Sequence, residues 1–136
     1  MTVQRLLQVT IVVDDYDEAI QFYVQKLNFA LIEDTVLTSS KRWVVLAPPG
    51  SDGCGILLAK AVTDQQKSRI GDQTGGRVFL FLQTSDFASD FKNLKAKGVT
   101  IIREPIVEKY GTVAVFADLY GNLWDLIEPA KNGFTY

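Results

Sequence analysis

The order of the predicted secondary structure elements is the feature that most constrains the fold, because this order occurs twice. In each half of the chain an apolar strand is followed by a helix and then by further strands. When the halves are aligned by these elements, Ala19 falls on Ala88 and Phe22 falls on Phe91, although few other residues are identical. The apolar face of each sheet must be buried against a partner. The sequence therefore predicts an α+β fold built from two βαβββ modules.

The first module is predicted at about residues 6–60. Its first strand is the aliphatic segment 6–13, and Asp14 and Asp15 follow it with side chains that favour the N-cap of a helix. Asn28 is predicted to end this helix, because asparagine is tolerated in the left-handed conformation that closes many helices. Further strands are predicted at 29–38, 42–47 and 54–59.

The second module is predicted at about residues 77–129, after a polar linker at 61–76 with one helical turn. Ser85 or Asp86 is expected to cap its helix, and Gly98 is expected to end it. A turn is predicted over residues 118–122, before the last strand. The strands of this module are predicted at 77–84, 99–102, 106–107, 112–117 and 123–127.

The sequence contains no histidine and one cysteine, Cys54. Histidine is the commonest metal ligand and the usual general base near neutral pH. Catalysis by Ser-His-Asp or Cys-His groups is therefore excluded. A single cysteine also excludes an intramolecular disulfide and every metal site built from several cysteines.

The charges are nearly balanced, with 14 basic and 16 acidic side chains and a formal net charge of −2 over 136 residues. No strong field attracts such a protein to nucleic acids or to anionic membranes, so neither partner is expected. No apolar segment reaches the roughly 20 residues of a membrane-spanning helix, and the N-terminus shows no signal-peptide pattern. We therefore expect a single cytoplasmic domain.

Three short segments point to a known family through their order and separation. They are VTIVVDD at 9–15 leading to Phe22-Tyr23, KLNF at 26–29, and ADLYGNLWDLIEP at 117–129. With these segments the chain resembles, over residues 6–129, the vicinal oxygen chelate superfamily of glyoxalase I, extradiol dioxygenases and bleomycin-resistance proteins. The resemblance implies one domain over residues 1–136. Its two modules would form an open, cup-shaped mixed β-sheet with helices outside, and the protein would be a homodimer.

In the metal enzymes of this family, four side chains inside the cup hold a divalent metal ion. The resemblance places these positions on Gln8, Leu57, Arg77 and Asp125. The side chains of Gln8 and Asp125 have oxygen atoms that could coordinate a metal. Leucine has no donor atom, and a guanidinium group stays protonated without a free lone pair. The resemblance therefore implies that the family metal is absent. No cofactor is expected, with a divalent metal ion as the alternative.

The resemblance also places Arg77 and Asp125 in the same half of the cup, where we expect them to form an ion pair. Such a pair would lower the pKa of Asp125 and weaken this residue as the candidate general base. The alternative is that Arg77 binds a carboxylate or phosphate group of a ligand. Strand alternation predicts that Phe79 and Phe81 share a face with Arg77. Trp124 is predicted to face the helix.

Six side chains, together with Asp125, are candidates for binding a small molecule inside the cup. Gln8 would form hydrogen bonds to the ligand, and aromatic rings would line the cup. Each aromatic ring also has the alternative of being ordinary core. The candidates besides Asp125 are Gln8, Trp43, Arg77, Phe79, Phe81 and Tyr110.

Three functions agree with these observations. The predicted one is a metal-independent, small-molecule binding protein of the bleomycin-resistance type, with its ligand held in the cup. The second is a metal-dependent lyase or dioxygenase with an unusual ligand set. The third is a structural member of the family whose cup is filled by its own side chains. A bound metal ion would separate the first function from the second, and an open pocket would separate the first from the third.

Overall fold

Four strands form a separate sheet in each half of the chain. The computed structural model describes residues 1–131 and divides the chain into two compact units, Met1–Gln73 and a second unit that begins at Thr74. We use the names module 1 and module 2 for these units. Module 1 contains β1 (Gln8–Val13), α1 (Tyr16–Gln21), a π-helical turn (Phe22–Lys26), β2 (Ala30–Val36), β3 (Arg42–Ala47), β4 (Gly55–Lys60) and α2 (Asp64–Lys67). Module 2 contains β5 (Val78–Gln83), α3 (Phe87–Ala96), β6 (Thr100–Glu108), β7 (Gly111–Ala117) and β8 (Leu123–Pro129).

The two sheets have the same topology. Their strand orders are β1-β4-β3-β2 and β5-β8-β7-β6. In each sheet the first strand of the module pairs in parallel with the last, and the other pairs are antiparallel. The predicted pair of βαβββ modules with open, mixed sheets is therefore confirmed.

The ends of the first helix lie where local chemistry predicts them. The carboxylate of Asp15 accepts a hydrogen bond of 2.9 Å from the backbone N–H of Glu18, which satisfies one donor of the first helical turn. Asn28 has a φ of 59° and ends the helical segment in the left-handed conformation. Between these ends α1 continues as the π-helical turn, which the sequence did not predict. Phe22 and Tyr23, in this turn, are buried in the core.

Strand alternation gives the module 1 sheet one buried face and one open face. Ile11 and Val13 are fully buried, whereas Thr10 and Val12 lie on the opposite face of β1. In the parallel register Thr10 lies beside Leu57. This pairing places Leu57 on the open face as well.

One predicted boundary in module 2 is wrong. The segments 99–102 and 106–107 were expected to be separate strands, but β6 runs without interruption over Thr100–Glu108. Its register with β7 shifts on both sides of Arg103. Because β6 is an edge strand, it tolerates Pro105, which has no backbone N–H to donate.

The linker predicted at 61–76 contains the single helical turn α2. Thr63 and Gln66 form a reciprocal capping box at the N-terminus of this turn. Within residues 1–131, none of the helices has the length and apolar character needed to cross a membrane.

Candidate ligand-binding site

The open face of the module 1 sheet contains a pocket of about 560 Å³. Pockets for small molecules commonly have volumes of roughly 300–1,000 Å³. Side chains of three neighbouring strands form its floor, and they are largely apolar. These floor residues are Thr10, Val12, Trp43, Leu57 and Ala59.

The register of the strands brings these side chains together. Thr10 and Leu57 are neighbours across the parallel pair of β1 and β4, and Val12 and Ala59 are the next neighbours in the same direction. Trp43 comes from β3 and is only half-buried, so that part of its ring remains accessible to a bound molecule. The sequence therefore produces a shallow apolar floor with one large aromatic ring.

A smaller pocket of about 260 Å³ shares several lining residues with the larger one. Its polar wall comes from the loop between β2 and β3. In this loop Thr38 Oγ1 accepts hydrogen bonds from the backbone N–H groups of Ser40 and Lys41, at 3.2 and 3.0 Å. The backbone N–H of Thr38 in turn donates to the Lys41 carbonyl at 3.1 Å. These hydrogen bonds connect the residues of the loop at the mouth of the larger pocket. The residues shared by both pockets are Tyr16, Thr38, Ser40, Lys41, Arg42 and Lys60.

Arg42 connects three elements at this mouth. Its guanidinium group donates hydrogen bonds to both carboxylate oxygens of Asp34, at 3.1 and 2.6 Å, and to Asp17 of α1 at 2.8 Å. The guanidinium carbon also lies 5.2 Å from the ring centroid of Tyr16. The hydrogen bonds from Arg42 lower the pKa of Asp34 and stabilise its charged form. The charge of Arg42 is thus compensated within the protein. Sequence reasoning missed this group, although opposite charges on adjacent strands could have indicated it.

Of the predicted site residues in module 1, two lie in the pocket. Trp43 and Leu57 both contribute to its floor. Gln8 lies at the start of β1, beside Gly55, on the same face as Thr10, but it does not line the pocket. Leu57, at one of the four positions that the resemblance assigns to metal ligands, therefore contributes an aliphatic side chain to the pocket.

In module 2 the predicted residues Phe81 and Asp125 are direct neighbours across β5 and β8. Val115 of β7 lies on the other side of Asp125. Phe81 is 68% exposed, whereas the carboxylate of Asp125 is partly buried. The oxygen Oδ1 of Asp125 is buried and has no hydrogen-bond partner among residues 1–131.

The predicted ion pair between Arg77 and Asp125 is not formed. Arg77 is exposed and precedes β5, which begins at Val78. The charge that acts on Asp125 comes from Arg103 of β6. Burial raises the pKa of Asp125, and the Arg103 charge only partly opposes this shift. The predicted lowering of the Asp125 pKa is therefore wrong, because its assumed cationic partner does not reach it.

The strand alternation assumed around Phe79 is also wrong. Val78 pairs with Leu123, and Leu80 pairs with the next residue, Trp124, so Phe79 is an extra residue in β5. This irregularity interrupts the alternation that was expected to place Arg77, Phe79 and Phe81 on one face.

Two other aromatic residues considered in the sequence analysis, Tyr110 and Trp124, differ in their exposure. Tyr110 lies in the turn before β7 and is 40% exposed, and its carbonyl accepts a hydrogen bond of 2.9 Å from Ala130. Trp124 is 2% exposed and stacks on Phe116, as expected for a residue of the core.

The side chains at the four positions that the resemblance assigns to metal ligands do not form a suitable ligand set for a metal ion. Leu57 offers only methyl groups, and Arg77 is a protonated cation. In the part of the chain that the structure describes, no group of three or more acidic, cysteine or histidine side chains could hold a metal ion. The remaining two side chains, Gln8 and Asp125, fall short of the three protein ligands typical of a catalytic zinc site.

Comparisons with known proteins extend over both modules. The sequence model of the Glyoxalase/Bleomycin resistance protein/Dioxygenase superfamily matches residues 5–126. An uncharacterized protein from Shewanella frigidimarina is 55% identical over 126 residues, which cover 92% of this chain and 93% of that protein. The uncharacterized protein YurT from Bacillus subtilis is 32% identical over 129 residues, which cover 91% of this chain and 98% of YurT.

Solved structures are also similar to this chain over most of its length. The crystal structure of UcmS2 is similar with a TM-score of 0.80 and 28% identity, covering 93% of this chain and 98% of UcmS2. TnmS3, an antibiotic binding protein from Streptomyces sp. CB03234, is similar with a TM-score of 0.76 and 26% identity. That comparison covers 96% of this chain and 99% of TnmS3. The family model, which matches residues 5–126, includes the strands that form the module 1 pocket.

Proposed function

The chain belongs to the Glyoxalase/Bleomycin resistance protein/Dioxygenase superfamily, and within it we propose that this protein binds a small molecule without a metal ion. The ligand would lie in the module 1 pocket, against the ring of Trp43. The observation that carries this proposal is the apolar floor itself, in which Leu57 occupies a position that the resemblance assigns to a metal ligand.

The chemistry of the pocket supports a molecule with an apolar or aromatic part. Its volume of about 560 Å³ suits an organic compound rather than a single ion. An aromatic ring of the ligand could stack on Trp43 and displace water from Val12 and Leu57. The similarity to TnmS3, which is an antibiotic binding protein, supports the same class of function. A cup filled by its own side chains would leave no such pocket in module 1.

The other candidate contacts stay predictions. Gln8, Phe81 and Asp125 lie on strands of the two modules, and Tyr110 lies in the turn before β7. Ligand contacts from Phe79 and Arg77 and the expected homodimer likewise stay predictions. The proposal depends on Trp43 and on the floor around it, and it would hold with or without these further contacts.

Replacing Trp43 with alanine should weaken the binding of a neutral aromatic probe by about tenfold or more. A ligand that covers about 60 Å² of the accessible ring would gain roughly 1.5 kcal/mol at about 25 cal/mol per Å², and about 1.4 kcal/mol corresponds to a tenfold change in Kd. The probe is N-phenyl-1-naphthylamine, whose fluorescence rises when it enters an apolar site. Titrations of both proteins in buffer with EDTA would give the two dissociation constants.

Two further variants control this experiment. Trp43→Phe keeps an aromatic ring and should retain most of the affinity. Val107→Ala removes an apolar side chain of β6 that is 82% exposed, so it reports non-specific adsorption of the probe and should leave the affinity unchanged. Circular dichroism would establish that each variant is folded. Equal dissociation constants for the wild type and a folded Trp43→Ala variant would refute the proposed site.

A further inference from the structure

The mouth of the module 1 pocket carries two cationic side chains that have no ion-pair partner in the described part of the chain. Lys41 and Lys60 line both pockets and are exposed. Neither forms an ion pair with any side chain in residues 1–131. Arg42 follows Lys41 in the sequence and lines both pockets as well, but it is bound by Asp34 and Asp17. The uncompensated positive charge at this mouth therefore belongs to the two lysines.

Hydroxyl groups surround these lysines. Thr38, Ser39 and Ser40 line the smaller pocket and offer three side-chain hydroxyls. Tyr16 also lines it, and its hydroxyl oxygen accepts a hydrogen bond of 3.3 Å from the backbone N–H of Arg42. Because this oxygen is the acceptor in that bond, its own hydrogen remains available for donation to a ligand. The smaller pocket is thus rich in hydrogen-bond donors.

One carboxylate, that of Asp15, is the only acidic group among the described residues that line either pocket. It is engaged as the N-cap of α1 through its bond to the Glu18 N–H. This bond directs the negative charge of Asp15 to the positive end of the helix. The two lysines therefore dominate the charge that faces a molecule at the mouth.

Resting on the proposed function, we infer that the ligand is an amphipathic anion. Its apolar or aromatic body lies on Trp43 and Leu57, while its carboxylate, sulfonate or phosphate group is bound by Lys41 and Lys60. An apolar floor with donors and two cations at one end favours such a molecule over a neutral one of the same shape. Charge-assisted contacts at an exposed mouth are weak individually, so we expect a combined preference of about tenfold.

A pair of probes isolates the anionic group. Anilinonaphthalene-8-sulfonate has the same ring system as N-phenyl-1-naphthylamine with one sulfonate added. The wild type should bind the sulfonate about tenfold more tightly than the neutral probe, and this advantage should decrease as salt is added. The double variant Lys41→Gln/Lys60→Gln should bind both probes with the affinity that the wild type has for the neutral one.

Lys92→Gln provides a control for the loss of a lysine charge outside the pocket, because Lys92 is an exposed residue of α3 in module 2. It should leave the affinity for both probes unchanged. Both probes are also titrated against Trp43→Ala, so that only binding that depends on Trp43 is counted. Thermal unfolding would show that the lysine variants are folded, as expected for exposed positions.

The outcomes separate the two proposals. Trp43-dependent binding of both probes with equal affinity, or a sulfonate preference that the double lysine variant retains, would overturn the anionic ligand and leave the proposed function standing. If neither probe shows binding that depends on Trp43, the proposed function fails and this inference fails with it. A sulfonate preference that is present in the wild type and in Lys92→Gln, but is lost in the double lysine variant, supports both the proposed function and the anionic ligand.

Discussion

Replacing Gly111 with alanine should destabilise the protein by about 3 kcal/mol, through overpacking and backbone strain. Gly111 begins β7 with a φ of 153°, a conformation that residues with a side chain rarely adopt. A methyl group there would overlap the carbonyl oxygen of Glu128 and lie 3.0 Å from the Cα of Pro129. Both atoms belong to the backbone of β8, so no side-chain rotation could relieve the contact. The pairing of β7 with β8 would have to shift.

Urea denaturation would measure the free energy of unfolding of this variant. Gly50→Ala is the matched control, because Gly50 also has a positive φ, of 70°, but has no neighbouring atom within 4 Å of the added methyl group. Gly50→Ala introduces only the strain of a positive φ in a residue with a side chain. Its free energy of unfolding is therefore expected to decrease by about 1–2 kcal/mol. Equal losses in the two variants would contradict the close approach of the Gly111 and Glu128 backbones.

Replacing Asp118 with alanine should have an effect of similar size. Asp118 is 6% exposed and lies between β7 and β8. Its Oδ1 accepts hydrogen bonds from the backbone N–H groups of Tyr120, Gly121 and Asn122, at 3.0, 3.1 and 2.9 Å. Its Oδ2 accepts a fourth, from the Asn122 side chain at 2.9 Å. Alanine would remove the carboxylate from all four bonds; the Gly121 N–H would keep its 3.1 Å bond to the Asp118 carbonyl, but the Tyr120 and Asn122 donors would lose this acceptor. A loss of about 3 kcal/mol in the free energy of unfolding is therefore expected.

Calorimetry or thermal denaturation would test this expectation. A loss of that size corresponds to a decrease in Tm of roughly 10 °C. Asp118→Asn keeps one carbonyl oxygen and loses the charge, so its Tm should lie between those of the wild type and the alanine variant. Asp52→Ala, at an exposed loop position, should not change the Tm. An unchanged Tm for Asp118→Ala would show that the turn is held by other contacts.

Much of the fold could be predicted because its signals are local. Asp15 and Asp86 cap their helices, and Asn28 and Gly98 end helical segments with positive φ, as expected from single residues. The repeated order of elements then follows from hydrophobic patterns, and the same topology occurs in both sheets. The helix caps and the hydrophobic patterns depend little on contacts between distant residues.

The candidate site was predicted less completely, because the register of the strands decides which of its side chains become neighbours. The expected pair of Arg77 and Asp125 required regular alternation from the start of β5, but Phe79 is an extra residue that no sequence signal marks. Trp43 could be identified as an aromatic residue on a strand. The positions of Lys41 and Lys60 at one pocket mouth could not be predicted, because only the tertiary structure brings the β2–β3 loop to the end of β4.

Native mass spectrometry tests the central claim most directly, namely that this protein binds a small molecule without a metal ion. The protein is purified without a metal-chelating resin and is measured with and without N-phenyl-1-naphthylamine, before and after treatment with EDTA. We predict no stoichiometric divalent metal and one probe molecule per pocket, with the adduct unchanged by EDTA. The same spectrum reports whether the expected homodimer forms. A stoichiometric divalent metal ion whose removal abolishes the probe adduct would contradict the account.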